Sequence, residues 1–414
     1  MAQQFTNTLY TNDNLFVLTG MNSNFVDLIY LDPPFNTKRF YSAPIGSKAA
    51  GTSFKDMWTW QDVNEAYLYK LAANYPALTE FIANVGKIHS NAMKAYLTYM
   101  AQRVIEMHRV LKDTGSLYLH CDPTASHYLK ILLDEIFGKN NFRNEIVWCY
   151  TGPSSPDMKQ FPRKNDTIFW YSKSNKWVFN QIRVPYKDPN QRPRKAYLSA
   201  VGDDFSKEKI IKMRERGKPI ENWWTDIAIA VRSKNENTGY PTQKPLALLN
   251  RIIKTSSNVG DIVLDPFCGC ATTCVSAQHL DRKWIGIDIE KHAVDILVDR
   301  LSDASGLFKD FVNTNIVPQR TDIQIEQPSS KPVKERLYKE QEGKCSGCGV
   351  ELDIWHFEVD HIIPKAKGGG DYYENYQLLC GSCNRIKGSR PMEFLRQVIK
   401  TRKDVMKDKI IFGE

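Results

Sequence analysis

The chain has no apolar run near the ~18 residues that a membrane span requires, and residues 1–20 lack a charged start followed by an apolar stretch. The expectation is a soluble protein that stays where it is made. Cysteine is sparse: nine among 414 residues do not make a secreted disulfide scaffold. There is no internal repeat and no long low-complexity tract. What is present suffices for ordinary cores. The chain is 42% hydrophobic, 11% aromatic and 25% charged, which rules out wholesale disorder. Its length suggests two or three domains at ~150 residues each.

Charge is unevenly placed. Lys and Arg number 56 against 47 Asp and Glu, a net +9. Residues 155–245 alone hold 19 Lys and Arg against 10 Asp and Glu, so that the remainder is neutral in sum. A local basic excess is either an electrostatic footprint for a polyanion or a solvated face.

Residues 26–31 read as a buried strand that runs into Asp32-Pro33-Pro34-Phe35. Residues 91–111 carry helical apolar spacing, ending near Gly115, and Ser116–His120 reads as a strand. Tyr128–Phe137 predicts a short amphipathic helix, and Ile146–Tyr150 and Thr167–Tyr171 further strands. From about 176 to 240 the pattern weakens, and segments such as 188–195 suit an inserted recognition module. Regularity returns with a helix at Leu246–Ser256 and a strand at Ile262–Leu264. A glycine-containing turn follows, then a helix over 271–280, a strand Trp284–Ile289 and a helix from about 291 to 302. Residues 315–334 carry three prolines and few large apolar groups and read as a linker. Residues 335–414 form a compact Cys-rich module with a basic helical tail.

Two constellations carry chemistry. The turn Asp265-Pro-Phe267-Cys-Gly269-Cys-Ala271-Thr272-Thr273 lies between a strand and a helix. It brings backbone N–H groups and a helix N-terminus to the carboxyl end of a sheet, where cofactors settle in doubly wound folds. Asp288, nineteen residues after Gly269, ends the next strand, where a carboxylate accepts from ribose hydroxyls. Plain turns remain the alternative for this pair alone. In Asp32-Pro33-Pro34-Phe35 the prolines fix φ and remove donors. The loop therefore offers acceptors beside an aromatic face, which matches an exocyclic amine on a planar base; a tight turn with a packed Phe is the bland reading.

Together these residues resemble the amino-group DNA methyltransferases, in the permuted class whose catalytic loop precedes the cofactor loop. The resemblance covers roughly residues 5–305. It is carried by Leu28-Ile-Tyr-Leu-Asp-Pro-Pro-Phe-Asn-Thr37, Arg109-Val-Leu-Lys-Asp-Thr-Gly-Ser-Leu-Tyr-Leu-His-Cys-Asp122 and Tyr240-Pro-Thr-Gln-Lys-Pro245. It continues through Asp261-Ile-Val-Leu-Asp-Pro-Phe-Cys-Gly-Cys-Ala-Thr-Thr273 to Ile285-Gly-Ile-Asp-Ile-Glu290. The resemblance implies transfer of a methyl group from S-adenosylmethionine to adenine N6 or cytosine N4 in double-stranded DNA. It assigns Asp32, the Pro33 carbonyl region and Phe35 to the target amine and base. It assigns Asp265, Phe267, Gly269 and Thr272 to the methionine part of the cofactor, Asp288 to its ribose, Asp13 to its adenine, and places Lys244 beside it. Asp at the first position of the corner favours adenine, since family members acting on cytosine N4 more often have Ser. The target base must leave the stack, at a cost of a few kcal/mol. The basic insertion, about 155–240, becomes the target-recognition region, its Lys and Arg binding phosphates; for Trp223 and Trp224 core packing is preferred over base stacking. One departure is Ala271, where the family often has a second glycine.

The second constellation is Cys345-x-x-Cys348 with Cys380-x-x-Cys383, the spacing of a four-thiolate zinc site. Between and after the pairs stand Asp360-His361, Asn375 fourteen residues later, and Asn384 nine beyond that. This resembles the HNH endonucleases over about residues 336–392. The resemblance implies His361 as general base, Asp360 and Asn384 as Mg²⁺ ligands, Asn375 holding the loop and orienting His361, and Lys387 steadying the phosphate. A zinc module that binds DNA without cutting it is the alternative.

The expected fold class is α/β: a doubly wound, Rossmann-like methyltransferase over residues 1–314, with the target-recognition insertion and a 315–334 linker. A small zinc-stapled ββα-metal (HNH) domain over 335–414 follows. The expected function is a bifunctional restriction–modification protein, cytoplasmic and nucleoid-associated, of bacterial, archaeal or phage origin. No membrane partner is expected, and a homodimer is left open. Cleavage of methylated DNA, or DNA docking alone, are the rival roles for the C-terminal module.

Overall fold

The computed structural model describes residues 6–35, 39–44, 46–47, 49–50, 53–63, 67–152, 157–186, 207–230, 236–290, 294–297, 299–300, 311–323, 328–392 and 394–402. The basic stretch 188–195, the ends of the 291–302 helix and the basic tail beyond 402 lie outside them.

The described residues form fifteen strands, the central ones from apolar runs: β1 (Thr8–Thr11), β2 (Val26–Leu31), β3 (Arg39–Ser42), β4 (Ser53–Asp56), β5 (Leu111–Cys121), β6 (Phe142–Cys149), β7 (Asn165–Ser172), β8 (Arg183–Val184), β9 (Lys218–Pro219), β10 (Trp223–Trp224), β11 (Ile262–Asp265), β12 (Lys283–Asp288), β13 (Val312–Thr314), β14 (Phe357–His361) and β15 (Tyr376–Cys380). Nine of them make one sheet in the order β10-β6-β7-β5-β2-β11-β12-β1-β13. From β5 to β13 every neighbour is parallel, whereas β7 runs antiparallel to both β5 and β6. Helices cover both faces, and two separate apolar clusters fill the layers.

Two expectations shift. The 91–110 helix stops at Val110, and β5 begins at once at Leu111, not at residue 116. Gly115 lies inside that strand because a Cβ there would come within 2.6 Å of the Leu111 side chain and 2.9 Å of the Asp27 carbonyl. A register shift of β2 against β5 falls at this close approach. The paired tryptophans divide: Trp224 is in the core, while Trp223 stands 51% exposed on the edge strand.

The segment expected as a linker lies along the surface of the large α/β unit where it is described. Asn12 donates to the Asn315 carbonyl (2.8 Å), Asn22 to the Thr321 hydroxyl (2.9 Å), and the Ser23 N–H to Asp322 (2.9 Å). The Lys331–Glu340 helix, the antiparallel β14–β15 ribbon and the Gly381–Lys387 helix then build the small module. Its core packs around Leu337, Phe357, Tyr376 and Leu378.

Candidate active sites

Strand β2 ends at Leu31 and β11 at Asp265, and the two are neighbours, with Leu28 opposite Val263 and Ile29 opposite Leu264. Chain connections leave β2 toward β5 and β11 toward β12, on opposite sides, so a crevice opens at their carboxyl ends. A cavity of about 1400 Å³ fills it, lined by the Asp32–Phe35 corner, Asp13, Lys244, Asp265, Phe267, Gly269, Thr272 and Asp288. Residues more than 200 positions apart in sequence thus share one pocket.

Three carboxylates shape its floor. Asp265 accepts from the Phe267 N–H (3.0 Å) and the Thr273 hydroxyl (2.5 Å), and burial pushes its carboxyl up to about 7. Asp288 accepts from the Gly269 N–H (2.8 Å) and the Glu290 N–H (2.9 Å), with burial raising its carboxyl too. Asp13 caps the Asn14–Gly20 helix at the Leu15 N–H (2.8 Å), and Arg103 pairs with the same oxygen (2.9 Å). Arg103 also holds Asn14, which donates to the Pro266 carbonyl (2.7 Å) and so fastens the first helix to the glycine turn. Gly269 has φ +48°, and a Cβ there would sit 3.1 Å from the Tyr240 ring. Ala271 has φ +57°, a left-handed conformation that an alanine adopts at a cost of about 1–2 kcal/mol. Thr272 lines the cavity, but its hydroxyl accepts from Arg300 (2.8 Å).

At the other end Lys244, expected by the cofactor, reaches across to Asp32 Oδ2 (2.5 Å) and lies over the Phe35 ring. Asp32 Oδ1 is buried with no hydrogen-bond partner among the described residues, an acceptor awaiting a donor. Phe35 lies roughly parallel to His120 (ring centroids 6.1 Å apart, 20° between planes). His120 is wholly buried between the Tyr30 hydroxyl at Nδ1 (2.9 Å) and Asp166 at Nε2 (3.0 Å). Burial pushes the Asp166 carboxyl up, but His120, Lys244 and Tyr150 outweigh it and hold it below the usual carboxylate value. Arg103, Tyr240 and His120 carried no motif signal of their own; the last two stand inside quoted blocks without a role.

In the small module the four thiol sulfurs lie within 4.8 Å of one another. The Cys380 N–H (3.2 Å) and Gly347 N–H (3.4 Å) donate to Cys345 Sγ, and a Cβ on Gly347 would strike Cys383 Sγ at 2.9 Å. Four sulfurs in a close cradle that a Cβ would fill suit a tetrahedral Zn²⁺.

The residues expected around the nuclease centre gather at the β14 end. Asp360 pairs with the wholly buried Lys387 (2.9 Å), which also donates to the His361 carbonyl (2.9 Å). Lys387 is thus turned inward in this structure and is not offered to solvent. Asn375 accepts from the Ile363 N–H (2.8 Å) and donates to the Ile363 and Gly370 carbonyls (3.1 Å each). The partner of His361 is a different residue: Asp371 Oδ1 lies 2.8 Å from Nε2, and its second oxygen accepts from Lys365 (2.7 Å). Asn384 Nδ2 donates to Glu358. Glu358 and Asp360, two apart on β14, share a strand face. With the Asn384 amide they offer oxygen donors of the hard kind that suits Mg²⁺ better than a soft metal, although both Asp360 oxygens are engaged here by Lys387 and Gln377.

A mainly parallel α/β sheet with acidic strand ends, a glycine turn and an Asp-Pro-Pro-Phe corner around one cavity has the architecture of a methyltransferase. Sequence comparison says of which kind: residues 26–299 match the DNA methylase family, and the chain belongs to it. Residues 345–390 match the HNH endonuclease family. Among its relatives, the type II methyltransferase M.EcaI of Enterobacter cloacae is 30% identical over 277 residues, covering 54% of this chain and 61% of that protein. M.HpaI of Haemophilus parainfluenzae is 28% identical over 295 residues, covering 71% and 73%. The DNA adenine methyltransferase YhdJ of Escherichia coli K12 is 31% identical over 230 residues, covering 54% and 74%. The chain thus spans between 61% and 74% of the length of these relatives. Among the described residues no helix is long and apolar enough to cross a membrane.

Proposed function

We propose that this chain is a bifunctional restriction–modification protein, a methylase that marks adenine N6 in double-stranded DNA joined to an HNH nuclease that cuts DNA without the mark. The observation that carries the first half is the convergence of the Asp32–Phe35 corner and the Gly269 turn on one cavity, with Asp32 Oδ1 left as an open acceptor. S-Adenosylmethionine, when bound, supplies an electrophilic methyl group. Asp288 suits its ribose hydroxyls, and the second carboxylate oxygen of Asp13 suits the adenine amine. The buried Asp265 suits the positive methionine end, because a cation beside it offsets the cost of its ionised form. The target amine donates to Asp32 Oδ1 while Phe35, backed by His120, offers its face to the base. Holding the nitrogen in line with the methyl carbon supplies much of the rate. Adenine is preferred on the Asp at position 32 and on the name of the relative YhdJ.

In the nuclease half, His361 oriented by Asp371 takes the proton from the attacking water. Asp360, Asn384 and Glu358 would hold Mg²⁺, which would supply a charge to polarise the scissile phosphate. Zinc at the four cysteines braces a module with a small core. Incubating the purified protein and Mg²⁺ with unmodified and pre-methylated duplexes tests the reading. Cutting of unmodified DNA alone supports it. Cutting of methylated DNA alone, or none, overturns the pairing of roles, and a chain without methyl transfer overturns the first half. His361→Ala is expected to abolish cleavage and spare methylation.

A further inference from the structure

The nuclease module is packed onto the methylase beside its cavity. Ile362, which follows His361, is buried with Leu15 and Tyr67 in an apolar cluster shared by both parts. Lys70 donates to the Tyr373 (3.0 Å) and Glu374 (2.7 Å) carbonyls, and Arg396 to the Val63 carbonyl (3.2 Å). Leu15 belongs to the helix that Asp13 caps, so this contact is made at the Asp13 end of the cavity. Gly368 approaches Val317 so closely that a Cβ would lie 2.8 Å from the Val317 carbonyl oxygen. Val317 in turn belongs to the strip fastened to Asn12 through Asn315. The loop 363–368 lines the same cavity as Asp13 and Asp288.

We propose that the Ile363–Gly368 loop of the nuclease module forms the outer wall of the nucleoside end of the cofactor cavity, so that part of the nuclease helps to hold the methyl donor. This rests on reading the cavity as a cofactor pocket. The wall acts by exclusion. Pro364 and Ala366 on the cavity lining displace water from the side where Asp13 and Asp288 accept, and hydrogen bonds gain strength as the local dielectric falls. The loop cannot swing away alone, since Asn375 holds Ile363 on both backbone groups and Lys365 is paired with Asp371.

The test is titration calorimetry of the full, zinc-loaded chain with S-adenosylhomocysteine. Ala366→Trp places bulk from an exposed position into the cavity. Gly368→Val acts differently: φ is +91° there, and the new side chain meets Val317, forcing the loop outward. Each is expected to raise Kd roughly tenfold or more, with zinc content and ligand-free melting temperature of Ala366→Trp unchanged. Trp355→Ser, 82% exposed on the same module and off the cavity, is expected to bind like wild type. Wild-type binding with both loop variants within roughly twofold of it overturns the wall and leaves the cofactor reading standing. A wild-type chain that fails to bind overturns both.

Discussion

The Tyr30–His120–Asp166 chain beneath Phe35 makes a sharp prediction. His120→Leu keeps comparable bulk and removes both ring nitrogens. Asp166 retains the Tyr150 hydroxyl at 3.2 Å, but the Tyr30 hydroxyl loses the partner it has at 2.9 Å in a side chain only 2% exposed. Stranding that donor costs about 1–3 kcal/mol, and loss of the ring face against Phe35 adds about 0.5–1.5 kcal/mol. The urea-unfolding free energy of the variant is therefore expected to fall by about 1.5–4.5 kcal/mol. Adding Tyr30→Phe deletes the stranded hydroxyl, so the double variant is expected to regain about 1–3 kcal/mol over the single one. The network lies under the target-base end, so methyl-transfer kcat falls while affinity for S-adenosylhomocysteine holds. A double variant no more stable than His120→Leu, or unimpaired methylation by His120→Leu, refutes the reasoning.

Other outcomes follow from the same geometry. Asp371→Asn is expected to slow plasmid cleavage about a hundredfold while methylation is unchanged; equal cleavage removes Asp371 as the partner that orients His361. Asp265, pushed up to about 7 by burial, is largely protonated below that pH in the empty pocket. Its raised carboxyl favours the folded chain most below the unfolded value of about 4, and that contribution is lost as pH rises through about 7. A ligand cation lowers it again, so cofactor affinity is expected to rise with pH up to about 7 and level off above, with proton release on binding measurable by calorimetry in two buffers. Stripping zinc with a chelator is expected to end cleavage beyond rescue by Mg²⁺ and, through the loop wall, to weaken S-adenosylhomocysteine binding.

Much of the site was legible because short motifs carry it. The Asp32–Phe35 corner and the Gly269 turn each follow a recognisable apolar strand, and a parallel sheet forces such turns to one edge. What escaped depends on pairs that only folding creates. His120 is 90 residues from Tyr30 and 46 from Asp166. Arg103 shows only helical periodicity along the chain, yet it is buried between Asp13 and Asn14. Lys244 belongs to a quoted block, but that block does not say which way its amine points, and it points to Asp32. Asp371 follows three glycines, with no spacing to tie it to His361. Glu358 was within reach: it is two residues from Asp360 on a strand, which puts both on one face.

The placement of β1 sets an order of manufacture. Thr8 pairs with Ile285 on one side and Val312 on the other, so β1 finds its two sheet neighbours only once β12 and β13 have been made. The thiol cradle and His361 emerge later still. A chain released before His361 therefore lacks one side of the cavity as well as that histidine and half of the thiol cradle.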